Sequence, residues 1–533
     1  MKASDLLVNC LENEGVEYIF GIIGSEVIDL ANSLSKSEKI TYIPVRHEQG
    51  AAFMADVYGR LSGKPGVCLA TLGPGATNLL TGIASANLDH SPVIAITGQK
   101  SLNVQHKDAH QYIDIVKVFE PVVKWSVQIK DANTIPEIIR KSFRLSSSEK
   151  PGAIVMEVPE NIAKANATTK PLSIPPDPKS VPAEESFIQA VQLLHQCKKP
   201  FIILGNGVIR QNAVKEIQAF IEHLGCPAAN SFMAKGVLPK EHPQNYYTFG
   251  FKEKDYVLRG IEESDLLVVI GFDFNEKFPY EWNEKKVPVL HIDPLPADVK
   301  EGYPVKGELV GNLKETLRLL LEKDVSPKPW EPSGELKKRI DDANSLNKNM
   351  DNPENLTIEN ILHVLEKLST EQTVIISDVG AHKVATARTF QPKHAKQLVI
   401  SNGLASMGIS IPGAIGAKLA APEKTVIVLT GDGGALMNFA ELETAKRLGL
   451  NFIIILLNDS MLKLEVETMN KAFGESYGVT FSNPDFVQLA QSFGINGMRV
   501  NHITEFKEML ATVMKNLNNI FLIDTIIKEN KKE

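Results

Sequence analysis

The sequence predicts an α/β fold made of three doubly wound parallel-sheet domains. Short β-branched runs alternate with longer stretches of helical periodicity along all 533 residues. Nine runs are predicted strands, namely VCLAT, PVIAIT, GAIVMEV, PFIILG, LLVVIG, VPVLHID, TVIISD, TVIVLTGD and NFIIILLND. Continuously apolar strands separated by helices are typical of parallel sheets whose two faces are both covered.

The chain length supports the same fold, because 533 residues exceed what one hydrophobic core organises and suggest about three domains. Residues 164–184 and 326–355 are rich in Pro, Lys, Ser or charged side chains, as connections commonly are. The expected domains are therefore residues 1–165, 185–325 and 355–533. The first segment, MKASDLLVNCLENEG, has helical spacing and lacks the features of a signal or transit peptide.

The charge balance argues against nucleic acid and membrane partners. The 57 basic and 64 acidic residues give a net charge of −7, so no overall positive field exists. Apolar runs such as residues 452–457 are far shorter than the roughly 20 residues of a membrane helix. Four widely spaced cysteines indicate reduced thiols that serve packing. These features predict a cytoplasmic protein whose partners are small molecules and further copies of itself.

A glycine-rich turn, GDGG at residues 431–434, directly follows the apolar run TVIVLT. A second apolar run ends at Asn458 and Asp459, 27 residues after Asp432. This spacing fits a strand, one crossover helix (ALMNFAELETAKRLG) and a second strand, so both acids would reach the carboxyl edge of neighbouring strands. Parallel sheets bind ligands at that edge. Neither this turn nor LATLGPGATN has the pattern of a nicotinamide-binding Rossmann unit.

The two acids suit a divalent cation. Oxygen ligands from Asp432 and Asp459, with a nearby backbone carbonyl, fit octahedral Mg²⁺, which completes its shell with phosphate oxygens and water. The glycines let a diphosphate approach backbone N–H groups and a helix N-terminus. A Gly-Asp-Gly turn alone is often only structural. The spaced Asn-Asp pair after a second strand favours the metal site.

The GDG turn followed by Asn-Asp resembles the signature of thiamine diphosphate enzymes, which have Asn-Asn at the second position; Asp459 is still a good ligand for a hard cation. The segment VRHEQGAAFMADVYGRLSGKPGVCLATLGPGATNLLTGIASANLDHSPVIAITGQ is similar, almost residue for residue, to the pyrimidine-binding domain of acetolactate synthases. The similarity extends over the whole chain. It implies a pyrimidine-binding, a middle and a diphosphate-binding domain, in that order.

The resemblance implies a catalytic role for Glu48, the glutamate of RHEQ. In this family the residue hydrogen-bonds N1′ of the aminopyrimidine. Protonated N1′ favours the imino tautomer, whose 4′-nitrogen removes the thiazolium C2 proton and makes the nucleophilic ylide. An isolated glutamate would more often be a solvated acid beside an apolar helix, so this assignment depends on the surrounding match.

Further cofactor contacts are implied by the same resemblance. Met407 matches the bulky apolar residue that keeps the cofactor bent, although a Met in an apolar helix is also ordinary core filler. Met461 is assigned to the metal together with both acids, and a surface role is the alternative for His382. The other positions assigned to cofactor binding are Gly380, Ala381, Ala405, Gly431, Gly433, Gly434, Leu462 and Leu464.

Three residues are assigned to the reaction itself. Gln111, in DAHQYIDI, matches a His-Gln pair that faces the reacting carbons, and Ser25 lies where relatives have a small residue or Asp at the mouth of the site. Glu465 aligns with a glutamate that handles a proton in pyruvate decarboxylases. We expect its carboxyl to be partly buried beside Met407 and the cofactor. A charged position on a helix exterior is the alternative.

The middle stretch reads GFDFNEKFPYEWN where flavin-binding synthases have Arg-Phe-Asp-Asp, so FAD is not expected. The resemblance implies carboligation, in which pyruvate or another small 2-oxo acid is decarboxylated and joined to a second one to give 2-acetolactate. A 2-oxo acid decarboxylase that releases an aldehyde stays open because of Glu465; a pyruvate oxidase is less favoured. Intact Glu48, Asp432 and Asp459 argue against a non-catalytic relative. The family implies a homodimer or homotetramer with active sites at the subunit interface.

Overall fold

The computed structural model describes residues 1–176, 178–323, 325–344 and 356–527. These residues form three six-stranded parallel sheets flanked by helices, which confirms the predicted α/β class. All nine predicted strands are present. Part of the predicted second connection, residues 345–355, lies outside the described residues.

The strands of the first sheet are β1 (Tyr18–Gly21), β2 (Thr41–Pro44), β3 (Gly66–Ala70), β4 (Val93–Gln99), β5 (Trp125–Gln128) and β6 (Ala153–Pro159), in the order β2-β1-β3-β4-β6-β5. The strands of the second are β7 (Pro200–Leu204), β8 (Ala228–Asn230), β9 (Asn245–Thr248), β10 (Leu266–Ile270), β11 (Val289–Asp293) and β12 (Val305–Val310), in the order β12-β11-β10-β7-β8-β9. The strands of the third are β13 (Thr373–Ser377), β14 (Leu398–Ile400), β15 (Thr425–Gly431), β16 (Ile453–Asn458), β17 (Asn496–Val500) and β18 (Phe521–Ile526), in the order β14-β13-β15-β16-β18-β17.

The helices in and around the first sheet are α1 (Ala3–Asn13), α2 (Ile28–Leu34), α3 (Glu48–Ser62), α4 (Pro74–Leu88), α5 (Ile115–Phe119), α6 (Ile135–Ser147) and α7 (Glu160–Lys164). Those of the middle stretch are α8 (Glu184–Gln196), α9 (Gly207–Arg210), α10 (Val214–Leu224), α11 (Val257–Glu263), α12 (Pro279–Trp282), α13 (Leu313–Leu321) and α14 (Leu336–Asn344). The last are α15 (Ile358–Leu368), α16 (Ala381–Thr389), α17 (Ser410–Ala420), α18 (Asp432–Met437), α19 (Glu441–Arg447), α20 (Lys463–Phe473), α21 (Phe486–Ser492) and α22 (Ile503–Lys515).

The described residues divide into two compact units. One contains residues 1–176, 403–499 and 513–524, and the other contains the rest. In the first unit, Leu6 of α1 packs in one core with Ile94 of β4 and Met156 of β6. In the second, Phe272 and Trp282 are fully buried, with ring centroids 5.5 Å apart. Among the helices of the described residues, none is long and apolar enough to cross a membrane.

The prediction of a single crossover helix after the GDGG turn is wrong. The chain forms two short helices, α18 and α19, and Asn438 between them has non-helical backbone angles (φ −133°, ψ 25°). Its side-chain Nδ2 donates to the carbonyl of Gly408 at 2.8 Å. This hydrogen bond joins the break between α18 and α19 to the turn before α17.

Candidate active site

The predicted site residues share one place in the topology, because each follows the carboxyl end of a parallel strand. In the first sheet, Ser25 follows β1, Glu48 follows β2 and Gln111 follows β4. In the third sheet, residues 380–382 follow β13, residues 405–407 follow β14, Asp432 follows β15 and Asp459 follows β16. This is the edge at which parallel sheets bind ligands.

Glu48 is the first residue of α3 and is buried, with 7% of its surface exposed. Its Oε2 accepts a hydrogen bond from Asn78 Nδ2 at 2.9 Å. Its Oε1 lies beside the GPG turn, since a Cβ on Gly75 would be 3.3 Å from this oxygen. Asn78 therefore holds one carboxylate oxygen in place, a contact that the sequence did not reveal.

Gln111 lies against the same turn. Its backbone has φ +62°, and a Cβ on Gly73 would be only 2.6 Å from its carbonyl oxygen. Gln99 Nε2 donates to the carbonyl of Ile113 at 3.0 Å and so ties the loop to the end of β4. The structure thus brings Gln111 and Glu48 to one turn, residues 73–75.

Ser25 is exposed, and its position is fixed by the neighbouring Glu26. Glu26 Oε1 pairs with Lys100 Nζ at 2.8 Å, and Oε2 accepts from Thr71 Oγ1 at 2.9 Å. Burial acts to raise the pKa of Glu26, but the hydrogen bonds from Lys100 and Thr71 outweigh it and lower that pKa. This ion pair between the buried Glu26 and the half-buried Lys100 anchors the loop that carries Ser25.

Asp432 begins α18, and four N–H donors fix its carboxyl. Oδ1 accepts from the N–H of Gly433 at 2.8 Å. Oδ2 accepts from the N–H groups of Asp459 at 3.1 Å and Ser460 at 2.6 Å, and from Asn483 Nδ2 at 2.7 Å. Asp459 Oδ1 in turn accepts from the N–H of Met461 at 3.3 Å. The two acids therefore follow neighbouring parallel strands, β15 and β16, as predicted, and Asp459 contacts the Asp432 carboxyl through its backbone N–H.

Asn458 and Asn483 support this cluster, and the sequence did not single out Asn483. Its amide Nδ2 also lies 2.9 Å from Asn458 Oδ1. Asn458 Nδ2 donates to Asp524 Oδ1 at 3.0 Å, and Asp524 Oδ2 accepts from Arg499 Nε at 2.8 Å. Asn458 thus faces inward, which leaves Asp459 as the acid beside Asp432.

The glycine turn has an apolar rim. A Cβ on Gly433 would lie 3.2 Å from Leu462 Cδ2, 3.4 Å from Met407 Cε and 3.5 Å from Phe481 Cζ. Met407 is half-buried in the turn before α17, so the core-filling helix position considered for it is wrong. Ala405, in the same turn, has φ +55°. The three apolar side chains therefore converge on Gly433.

The loop of residues 380–382 belongs to the second unit. Gly380 has φ +153° and precedes α16, which begins at Ala381. His382 is buried, so the alternative of a surface histidine is wrong. The loop therefore places a glycine with positive φ directly before the N-terminus of a helix.

Leu464 and Glu465 are exposed in the first turn of α20. No residue of α20 is buried. The expected partial burial of the Glu465 carboxyl is therefore wrong for the chain by itself.

The donor set of the site fits Mg²⁺ bound with a diphosphate. Within the described ranges, no group of three or more His, Cys, Asp or Glu side chains could hold a metal ion. Proteins commonly bind Mg²⁺ through one or two carboxylates, with a carbonyl, water and phosphate oxygens completing the coordination shell. The two neighbouring acids match this ligand set better than the His and Cys ligands typical of Zn²⁺. Gly431, Gly433 and Gly434 carry no side chain that would separate a diphosphate from their backbone N–H groups.

Three family models show the class of enzyme to which this fold belongs. The family models that match the chain are "Thiamine pyrophosphate enzyme, N-terminal TPP binding domain" at residues 1–118, the corresponding central domain at 188–320, and the C-terminal TPP binding domain at 378–525. The cofactor of this class is thiamine diphosphate.

Curated relatives specify the class further. The chain is 33% identical to the acetolactate synthase large subunit of Buchnera aphidicola subsp. Schizaphis graminum, over 100% of the chain and 95% of the relative. It is 32% identical to the probable acetolactate synthase large subunit of Methanocaldococcus jannaschii, over 99% and 92%. The acetolactate synthase of Bacillus subtilis is 31% identical, over 96% and 90%. The chain belongs to the acetolactate synthase family of thiamine pyrophosphate enzymes.

Proposed function

We propose that the protein is an acetolactate synthase acting on pyruvate. The full-length similarity to acetolactate synthases carries this proposal, since it covers all three sheets rather than one cofactor-binding segment. Two pyruvate ions and one proton give one 2-acetolactate ion and one carbon dioxide. These relatives do not favour the decarboxylase alternative.

The site residues divide the work in this proposal. Asp432, Asp459 and the carbonyl of Met461 hold Mg²⁺, and residues 380–382 and 431–434 hold the diphosphate. Thiamine diphosphate supplies, when bound, the carbanion chemistry that releases carbon dioxide from a 2-oxo acid. Glu48 Oε1 exchanges a proton with N1′ of the aminopyrimidine, while Asn78 holds the other oxygen.

The remaining site residues orient the reactants. The rim of Met407, Leu462 and Phe481 packs against the cofactor and excludes water from it. Gln111, held against the turn of residues 73–75, faces the second 2-oxo acid, and Ser25 lies at the entrance. We assign residues 1–165, 185–325 and 355–533 to the pyrimidine-binding, middle and diphosphate-binding domains, and the enzyme to the cytoplasm.

The middle domain is proposed to work without FAD. At the ends of β7 and β10, a Cβ on Gly205 would lie 2.1 Å from the carbonyl oxygen of Gly271, so the two loops are in direct contact. Beside them, the half-buried Arg210 forms an ion pair with the buried Asp273 at 2.5 Å. This packing supports a structural role at the position where open parallel sheets bind dinucleotides.

The product ratio tests the proposed function. Purified protein, supplied with thiamine diphosphate, Mg²⁺ and pyruvate but no flavin, is expected to release one carbon dioxide per two pyruvates consumed and to form 2-acetolactate. We expect Glu465→Gln to lower kcat about tenfold or more and to leave acetolactate as the main product. Glu467→Gln, on an exposed position of the same helix, is the matched control. If the wild type instead released one acetaldehyde and one carbon dioxide per pyruvate, the protein would be a decarboxylase rather than a synthase.

We propose a homodimer or homotetramer in which Glu48 of one subunit and Asp432 of another complete each site. Large apolar side chains are exposed near the site segments, namely Leu436, Met437, Leu464, Phe473 and Tyr477, and such surfaces commonly become interfaces. Glu48→Gln and Asp432→Ala subunits carrying different tags should each be inactive alone. Their co-purified hybrid dimer should regain about half of the wild-type activity, because one of its two sites is intact. An inactive hybrid would contradict a shared site.

A further inference from the structure

Glu441, the first residue of α19, is a buried carboxyl outside the metal-binding segments, with 1% of its surface exposed. Its Oε1 accepts hydrogen bonds from the backbone N–H groups of Arg46 at 3.0 Å and His47 at 2.9 Å. Its Oε2 accepts from Thr444 Oγ1 at 2.7 Å. The two backbone donors belong to the residues that directly precede Glu48.

This contact takes the place of a local helix cap. His47 is the N-cap of α3, and its Nδ1 accepts from the N–H of Gln49 at 3.1 Å. In a capping box, a Glu or Gln three residues after the N-cap accepts from the N–H of the N-cap residue. That position is Gly50, which has no side chain to do so. Glu441 supplies the missing acceptor from nearly 400 residues away in the sequence.

The lack of a side chain at Gly50 also leaves space for the Glu441 carboxylate beside the first turn of α3. A Cβ at this position would lie 2.6 Å from Glu441 Oε1 and 3.0 Å from its Cγ. Two further residues of α19 contact the segment before α3. Arg447 donates to the carbonyl of Pro44, and Glu443 pairs with Arg46 at 4.0 Å. Burial raises the pKa of Glu441, against the hydrogen bonds from Thr444, His47 and Arg46.

We propose that Glu441 is a positioning residue for Glu48: by accepting both N–H groups it fixes the first turn of α3 and hence the direction of the Glu48 carboxylate. The role of Glu48 in proton exchange rests on the proposed function. The fixed helix start is a property of the protein without cofactor. A carboxylate whose direction must be set to within a few tenths of an ångström requires such support.

Amide hydrogen exchange of the cofactor-free protein tests the contact directly. In Glu441→Ala, the amides of residues 46 and 47 should exchange about tenfold to a hundredfold faster, because each loses a charge-assisted hydrogen bond. Glu441→Gln keeps an acceptor oxygen and should retain most of the protection. Gly50→Ala should displace the carboxylate from the other side and reproduce the faster exchange. Lys446→Ala, at an exposed position of α19 whose side chain contacts Gly494 rather than residues 46 and 47, should leave it unchanged.

Kinetics of the cofactor-loaded enzyme then separate positioning from folding. Glu441→Ala and Gly50→Ala should lower kcat about tenfold or more with little change in KM for pyruvate, and Glu441→Gln should restore most of it. Unchanged exchange at residues 46 and 47 in Glu441→Ala would overturn the proposal, as would faster exchange with an undiminished kcat. If the wild type does not form acetolactate, the proposed function fails while the exchange result still decides the contact.

Discussion

Replacing Glu48 by Gln is expected to leave the protein folded and able to bind thiamine diphosphate while kcat falls about 10²- to 10⁴-fold. Gln keeps the volume of the side chain, and its carbonyl oxygen can still accept the hydrogen bond from Asn78 Nδ2. It cannot exchange a proton with N1′ of the cofactor. Steady-state kinetics with pyruvate, together with a titration of the cofactor-depleted protein, measure the two effects separately.

A matched control for this variant is Glu184→Gln. Glu184 is also the first residue of a helix, α8, but it is exposed and lies in the second unit. The control should keep wild-type kcat and cofactor affinity. Undiminished turnover in Glu48→Gln would contradict the assignment of Glu48 to proton exchange. A protein that no longer binds cofactor would show that Glu48 acts mainly in binding.

The strands that the sequence predicted all lie inside the sheets, although three other interior strands, β1, β8 and β18, were not predicted. All nine lie between two neighbouring strands, and several, such as β4, β6 and β16, are buried along their whole length. Burial on both faces requires a continuous apolar run, which is visible without a structure. The edge strands were missed because this requirement does not apply there. Examples are β5, in which every residue is half-buried, and β17, in which only Val500 is buried.

The site was predictable where its geometry follows from order along the chain. A strand, a crossover and a second strand bring Asp432 and Asp459 to one edge whatever the details of the packing. Asn78, Asn483 and Glu441 are different, because each acts through a tertiary contact with a residue that is distant in the sequence. The exposure of Glu465 likewise depends on how α20 packs, which its own sequence does not specify.

Removing either strand-end acid should abolish tight cofactor binding. Asp432→Ala and Asp459→Ala each delete a proposed Mg²⁺ ligand and leave the diphosphate charge less compensated, so we expect affinity for thiamine diphosphate to fall at least about 100-fold. Calorimetric titration of the cofactor-depleted protein, at several Mg²⁺ concentrations, measures the loss. Asp298→Ala, at an exposed acid of the second unit, is the control and should bind normally.

Asn483 offers a more specific test of the metal site, because its amide contacts Asp432 but is not itself a proposed Mg²⁺ ligand. It donates to Asp432 Oδ2 at 2.7 Å and to Asn458 Oδ1 at 2.9 Å, and so joins the segments that carry the two acids. Asn483→Ala should weaken cofactor binding about tenfold, since supporting residues of metal sites typically contribute less than the ligands. Raising Mg²⁺ should recover affinity in Asn483→Ala, where both carboxylates remain, but not in Asp432→Ala. Equal affinity in wild type and Asp432→Ala would exclude this metal site.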